Sequence, residues 1–86
     1  MNLQGLRNQI DRLDSQLLRL LNRRASLALR VGTLKKRQGR RRFDPQREQE
    51  ILDRLMWINP GPLAAPAVRL IYREILRQIR RLEQSA

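Results

Sequence analysis

The sequence predicts an all-α chain of three helices, long, short and medium, with a second chain covering part of the first. Three observations carry that expectation. Leu3, Leu6, Ile10, Leu13, Leu17, Leu20, Leu27, Val31 and Leu34 recur at alternating spacings of three and four, the apolar seam of one long amphipathic helix. Proline and glycine break the rest of the chain into two further helical stretches, and no strand signal, repeat or linker interrupts them. A helix from Leu3 to about Gln38 would span roughly 54 Å, about twice the diameter of a compact domain this size. The remaining residues, about 45 of them, are too few to cover so long a seam, so a second chain is expected to share it.

Helix 1 should begin near Asn2 or Leu3 and fade around Gly39, where glycine and the run Arg40-Arg41-Arg42 end the periodicity. Gly32 within it costs about 1 kcal/mol against alanine, which suggests a close backbone approach there. Asp44-Pro45 reads as an N-cap followed by proline at the first helical position, opening helix 2. Its apolar face is Ile51, Leu52, Leu55 and Ile58, and Glu48 shares that face from one turn earlier. Asn59-Pro60-Gly61-Pro62 ends the helix. Helix 3 is expected from about Ala64 to Glu83, with Pro66 in its first turn and Val68, Ile71, Tyr72, Ile75, Leu76, Ile79 and Leu82 as its stripe. Arg69, Arg73, Arg77, Arg80 and Arg81 fall opposite the stripe and read as a solvated basic surface.

One step of the helix 1 ladder is not aliphatic. Between Leu20 and Leu27 the seam position is Arg24. Burying an unpaired guanidinium is costly, so something anionic should meet it. Lys35 lies eleven residues on, about 20° around the helix and roughly 16 Å along it, so the two long side chains can grip one small ligand between them. A snorkelling arginine or a structural ion pair explains the spacing equally well.

Composition narrows the chemistry. The 86 residues read as one small domain, with 19 Lys plus Arg against 8 Asp plus Glu and a net charge of +11. Such a balance is background composition, a surface for small anions, or a nucleic-acid footprint. Phe43, Trp57 and Tyr72 are the only aromatics, which argues against stacking on single strands, and no helix-turn-helix or zinc pattern is visible. The chain has no cysteine, no signal-peptide core at its start and no apolar run near the ~20 residues that cross a bilayer, so a soluble cytoplasmic protein is expected. There is no histidine, and Ser15, Ser26 and Ser85 have no plausible base beside them. Nucleophilic, histidine-based and zinc catalysis are thereby disfavoured, and no metal or cofactor is expected. Arg7, Arg24, Lys35, Asp44, Glu48 and Glu83 remain on or beside the apolar faces, a set suited to binding a small polyanion or to a reaction needing only positioning and electrostatics.

The helix 1 pattern Leu6-Arg7, Ile10-Asp11, Leu13-Asp14, Leu20-Leu21, Arg23-Arg24, Val31-Gly32 and Lys35 resembles the AroQ-type, all-helical chorismate mutases. Asp44-Pro45-Gln46-Arg47-Glu48 is similar to that family's second-helix motif, and Gly61-Pro62-Leu63 followed by Val68 to Gln84 to its third helix, so the resemblance covers nearly the whole chain. It implies a single mutase domain over residues 1–86, an intertwined homodimer with shared active sites, and conversion of chorismate to prephenate in phenylalanine and tyrosine biosynthesis. That conversion is a pericyclic Claisen rearrangement without covalent catalysis, in keeping with the missing nucleophile.

Carried over by position, the resemblance implies that Arg24 pairs a substrate carboxylate and that Arg7 is supplied to the site by the partner chain. Arg7 indeed lies seventeen residues from Arg24 on one rod, roughly 25 Å and too far to share a site within a chain. Lys35 matches the donor to the ether oxygen, Glu48 the acceptor of the ring hydroxyl, Asp44 a nearby contributor and cap, and Arg47 an outlying arginine for which an exposed ion pair is an equal reading. Two positions depart from the commoner pattern. Ile79 stands where many members have a serine touching a carboxylate, and Glu83 where many have a glutamine donating to the ether oxygen. A one-residue slip through the Pro-Gly-Pro loop would put Gln78 or Gln84 in play, and helical phase favours Glu83. Ile79 also leaves open the isochorismate pyruvate-lyase activity of the same fold, and a basic helical dimer binding nucleic acid is the alternative from another class.

Overall fold

The first helix starts where a side chain can satisfy its free amides. In the computed structural model of the chain, which describes residues 2–85, Asn2 is extended and its side-chain oxygen accepts from the Gly5 amide at 2.7 Å. Helix α1 runs from Leu3 to Arg37. It closes in a Schellman arrangement: the Gly39 amide donates to the Lys36 carbonyl and the Arg40 amide to that of Lys35, with Gly39 at φ 67°. Helix α2 spans Pro45–Ile58, capped by Asp44, whose carboxylate accepts from the Arg47 amide at 3.0 Å. The turn beyond it is held by Asn59, which accepts from the Gly61 amide and donates to the Leu63 carbonyl. Helix α3 occupies Ala65–Ser85, starting one residue later and ending two later than the sequence pattern predicts. No strand occurs among the described residues.

Helix α3 packs against both other helices, and the buried apolar core is Leu52 of α2 with Leu76 and Ile79 of α3. The α1 seam is not what α3 covers. Leu3, Leu6, Ile10, Leu13, Leu17, Leu20, Leu27, Val31 and Leu34 all remain 43–62% exposed. Instead, α3 meets the flank of α1 at Gly32, against which the Glu83 side chain lies. Gly32 is the one buried residue of α1. The Cα extents of 55 × 25 × 16 Å show the consequence: α1 is a rod that projects well beyond the other two helices. No helix among the described residues is long and apolar enough to cross a membrane.

A methyl group at Gly32 would meet the Glu83 carboxylate at 3.7 Å, an ordinary contact with the end of a flexible side chain. Gly32→Ala should therefore fit and raise the unfolding free energy by about 0.5–1 kcal/mol through helix propensity. Urea denaturation checks this, and a loss of stability would mean that α1 and α3 tolerate no added bulk at their crossing.

Candidate active site

Where the three helices meet, α1, the linker before α2, α2 and α3 enclose an open cleft of about 350 Å³. That volume lies within the range of small-molecule sites. Arg24 and Lys35 reach it from α1, Asp44 from the cap, Arg47 and Glu48 from the first turn of α2, and Ile79 and Glu83 from α3. Seven of the eight residues expected at a site thus line one cleft. Arg7, far along the α1 rod, does not. Arg24 is half-buried and makes no ion pair within 4.0 Å among the described residues, so its guanidinium is available to an incoming anion.

The cap of α2 does double duty. While Asp44 Oδ1 holds the Arg47 amide, Oδ2 lies 3.9 Å from Lys35 Nζ. Lys35 also donates to the Arg42 carbonyl at 3.5 Å, and its side chain is only 16% exposed. Both contacts are long, so the ammonium is steered into the cleft without being consumed there. Arg47 points outward enough to form an exposed pair with Glu50 at 3.7 Å, although its stem still lines the cleft.

Glu83 sits against Gly32, with Lys35 and Arg24 of α1, Arg42 of the linker and Glu48 of α2 nearby. Burial pushes its carboxyl above the ordinary glutamate value; Lys35 and then Arg42 pull the other way, Glu48 adds to the rise, and Arg24 opposes it. Gln78 is exposed and donates to Glu74 at 2.8 Å, and Gln84 is exposed as well. Neither lines the cleft, so helical packing places Glu83 there rather than its glutamine neighbours.

Three cleft residues escape the sequence pattern. Arg80, expected on a solvated basic face, instead pairs with Glu48, its Nη2 and Nε donating to Oε1 and Oε2 at 3.0 and 3.1 Å. The apolar stripe of α3 is wide, and Arg80, four residues after Leu76, falls on its flank where a long side chain can fold back toward α2. Phe43 stacks beneath that guanidinium, 4.3 Å from ring centroid to Cζ. Arg42, read only as part of a helix-breaking run, donates to the Glu83 carbonyl at 2.7 Å and ties the linker to the end of α3. A single phenylalanine directly before a helix cap was the one available sign that the linker turns inward. Taken together, five cations and three carboxylates line the cleft, an excess of two positive charges.

The family model for chorismate mutase type II matches residues 6–84. The bifunctional chorismate mutase/prephenate dehydratase of Aquifex aeolicus (strain VF5) is 40% identical over 86 residues, covering 95% of this chain and 24% of that protein. The intracellular chorismate mutase of Mycobacterium tuberculosis (strain ATCC 25618 / H37Rv) is 34% identical over 55 residues, 64% of this chain and 52% of that one. This chain therefore spans about a quarter of the bifunctional relative's length and about half of the mycobacterial one. Among solved structures, the chorismate mutase (form II) of Thermus thermophilus superposes with a TM-score of 0.92 at 37% identity, covering 94% of this chain and 92% of that one. With the same three helices and a family match over nearly its whole length, this chain belongs to the chorismate mutase type II family.

Proposed function

We infer that the chain is an isomerase that rearranges chorismate to prephenate on the route to phenylalanine and tyrosine, acting as one mutase domain in the cytoplasm. The observation that carries this reading is the convergence of Arg24, Lys35 and Glu48 on one cleft with two excess positive charges. Chorismate is a small dianion. Its rearrangement breaks one C–O bond and forms one C–C bond within a single molecule, and no proton, leaving group or nucleophile is exchanged. A protein can therefore accelerate it by holding the folded substrate and stabilising the charge that develops on the ether oxygen. In this reading Arg24 pairs a substrate carboxylate and Lys35 donates to the ether oxygen. Glu48 accepts from the ring hydroxyl, Asp44 and Arg47 support the α2 end of the site, and Ile79 supplies an apolar wall. The relative from Mycobacterium tuberculosis is named as intracellular, which supports the location.

Following chorismate absorbance, with prephenate and pyruvate measured as products, tests the activity: prephenate without pyruvate is expected, and pyruvate release would point to lyase chemistry instead. Replacing Arg24 by leucine completes the aliphatic ladder and removes a half-buried cation, so thermal stability should hold or rise. Loss of a charged donor at the site should meanwhile lower kcat/KM by roughly 10²–10³-fold. A stable Arg24→Leu protein that kept its activity would make Arg24 structural.

The site reading extends to a homodimer. The uncovered α1 seam supplies a long apolar surface for a second copy, and Arg7 on that seam's far half would enter the partner's cleft. Arg7→Ala and Arg24→Ala proteins should each be poor catalysts, yet subunit exchange between them should rebuild one good site per mixed dimer. Random pairing makes about half the dimers mixed, so activity should return to roughly a quarter of wild type. Sedimentation establishes the dimer, and native mass spectrometry with one variant isotopically labelled establishes exchange; no recovery after verified exchange would remove Arg7 from the site.

Glu83 adds a pH dependence. The ether oxygen offers only lone pairs, so a residue assisting there must donate, which a carboxylic acid does and a carboxylate does not. Because its carboxyl is raised above the ordinary value, the neutral acid persists to higher pH than in a free glutamate. Turnover should rise as pH falls from about 8 toward 5. Glu83→Gln, a permanent donor of similar shape, should flatten that profile and gain most at the alkaline end. An unchanged pH–rate curve would show that Glu83 takes no part in the reaction.

A further inference from the structure

Arg80 makes two of the longest-range side-chain hydrogen bonds among the described residues, and nothing in the proposed reaction uses it. Its guanidinium meets Glu48 fork to fork at 3.0 and 3.1 Å across the α2–α3 junction, with side chains 30% and 25% exposed. The plane of the fork is fixed from the other side by Phe43 of the linker. Three segments of the chain thus converge to hold one carboxylate in one orientation, in the wall of the cleft.

The need for such a hold follows from the charges. Glutamate has three rotatable side-chain bonds, and Glu48 shares its cleft with Arg24, Lys35 and Arg47. Left untethered, its carboxylate would be drawn to one of them, neutralising a cation meant for the substrate and losing its own position. A bidentate pair with Arg80 prevents this. The fork takes one lone-pair direction on each oxygen, and a carboxylate offers about four in all, so acceptor capacity remains on the cleft side.

We propose that Arg80 is a positioning residue for Glu48, holding its carboxylate as a fixed acceptor for the substrate hydroxyl while keeping it off the substrate-binding cations. The proposal rests on the role assigned to Glu48 above. Lysine cannot replace Arg80, because an ammonium is a point charge without the planar fork. Arg80 gives Nε and Nη2 to Glu48, and in this reading it acts on the substrate only through that carboxylate.

A double-mutant cycle on kcat and KM for chorismate tests this, using wild type, Arg80→Met, Arg80→Lys, Glu48→Gln and the double variant Arg80→Met with Glu48→Gln. Methionine retains an apolar stem against Phe43, and circular dichroism melts follow folding throughout. Arg80→Met should lose roughly 10²-fold in kcat with little change in KM, the scale expected for a misplaced catalytic group. Arg80→Lys should recover little of that loss. In the Glu48→Gln background, Arg80→Met should cost nothing further, because a residue acting only through Glu48 has nothing left to position. If Arg80→Met does not fold, Arg80→Lys decides alone: a well-folded protein with wild-type kcat overturns the proposal. Additive losses, or a rise confined to KM, overturn it too, since Arg80 would then contact the substrate directly. A wild-type protein that does not turn over chorismate overturns the function proposed above and this role with it. An active wild type with a fully active Glu48→Gln variant removes the role of Glu48 instead.

Discussion

Burying the apolar surface of a 35-residue helix is the constraint on which the rest of this structure depends. A rod of that length offers more surface than two shorter helices can cover, and α3 does not attempt the main seam. It settles on the neighbouring flank at Gly32, where the Glu83 side chain packs against the helix backbone. That choice has chemical consequences. The crossing at Gly32 brings Glu83 beside α1, and the same face of α1 carries Arg24 and Lys35 into the gap between the helices. The leucine seam is left largely exposed, with Leu27 and Val31 at the edge of the cleft.

Two of the three carboxylates of the cleft are committed to the protein. Asp44 caps α2, and Glu48 is held by Arg80. Glu83 is half-buried with its carboxyl biased toward the neutral form. Of the cations, Arg42, Arg47 and Arg80 are engaged as well, whereas Lys35 has only long contacts and Arg24 has no carboxylate within 4.0 Å among the described residues. An anion entering such a site displaces little and meets donors already in place. Elsewhere the ion pairs are of another kind. Arg47–Glu50 and Arg77–Glu74 are long, more than half exposed and one turn apart, and add little to stability.

The linker between α1 and α2 shows how few contacts convert helices into a site. Gly39 turns the chain, and the Arg42 guanidinium then anchors it to the Glu83 carbonyl, capping the final turns of α3 with a cation. The Arg42 carbonyl in turn receives Lys35, and Phe43 supports Arg80. Adjacent residues of one short segment therefore touch the ends or side chains of α1 and α3 while Asp44 starts α2. Loops can carry such duties only when rigid elements fix both their ends, as the helices do here.

Local and periodic features were legible from the amino-acid sequence alone. The alternation of leucines defined α1, Asp44-Pro45 located the start of α2, and the Asn-Pro-Gly-Pro run its end, because each is a property of residues within a few positions of one another. Arg24 and Lys35 stood out for the same reason: a regular helix fixes their separation whatever it packs against. The tertiary structure decided what depends on the meeting of distant segments. Arg80 and Glu48 lie 32 positions apart and Arg42 and Glu83 lie 41 apart, so no local pattern could pair them. Sequence periodicity alone placed Arg80 on a solvated face, whereas the crossing of α2 and α3 folds it back onto Glu48. Glu83 lines the cleft where its helical phase favours it over Gln78 and Gln84, but its neighbours there, Gly32 and Lys35 of α1 and Arg42 of the linker, are brought to it by the packing of distant segments.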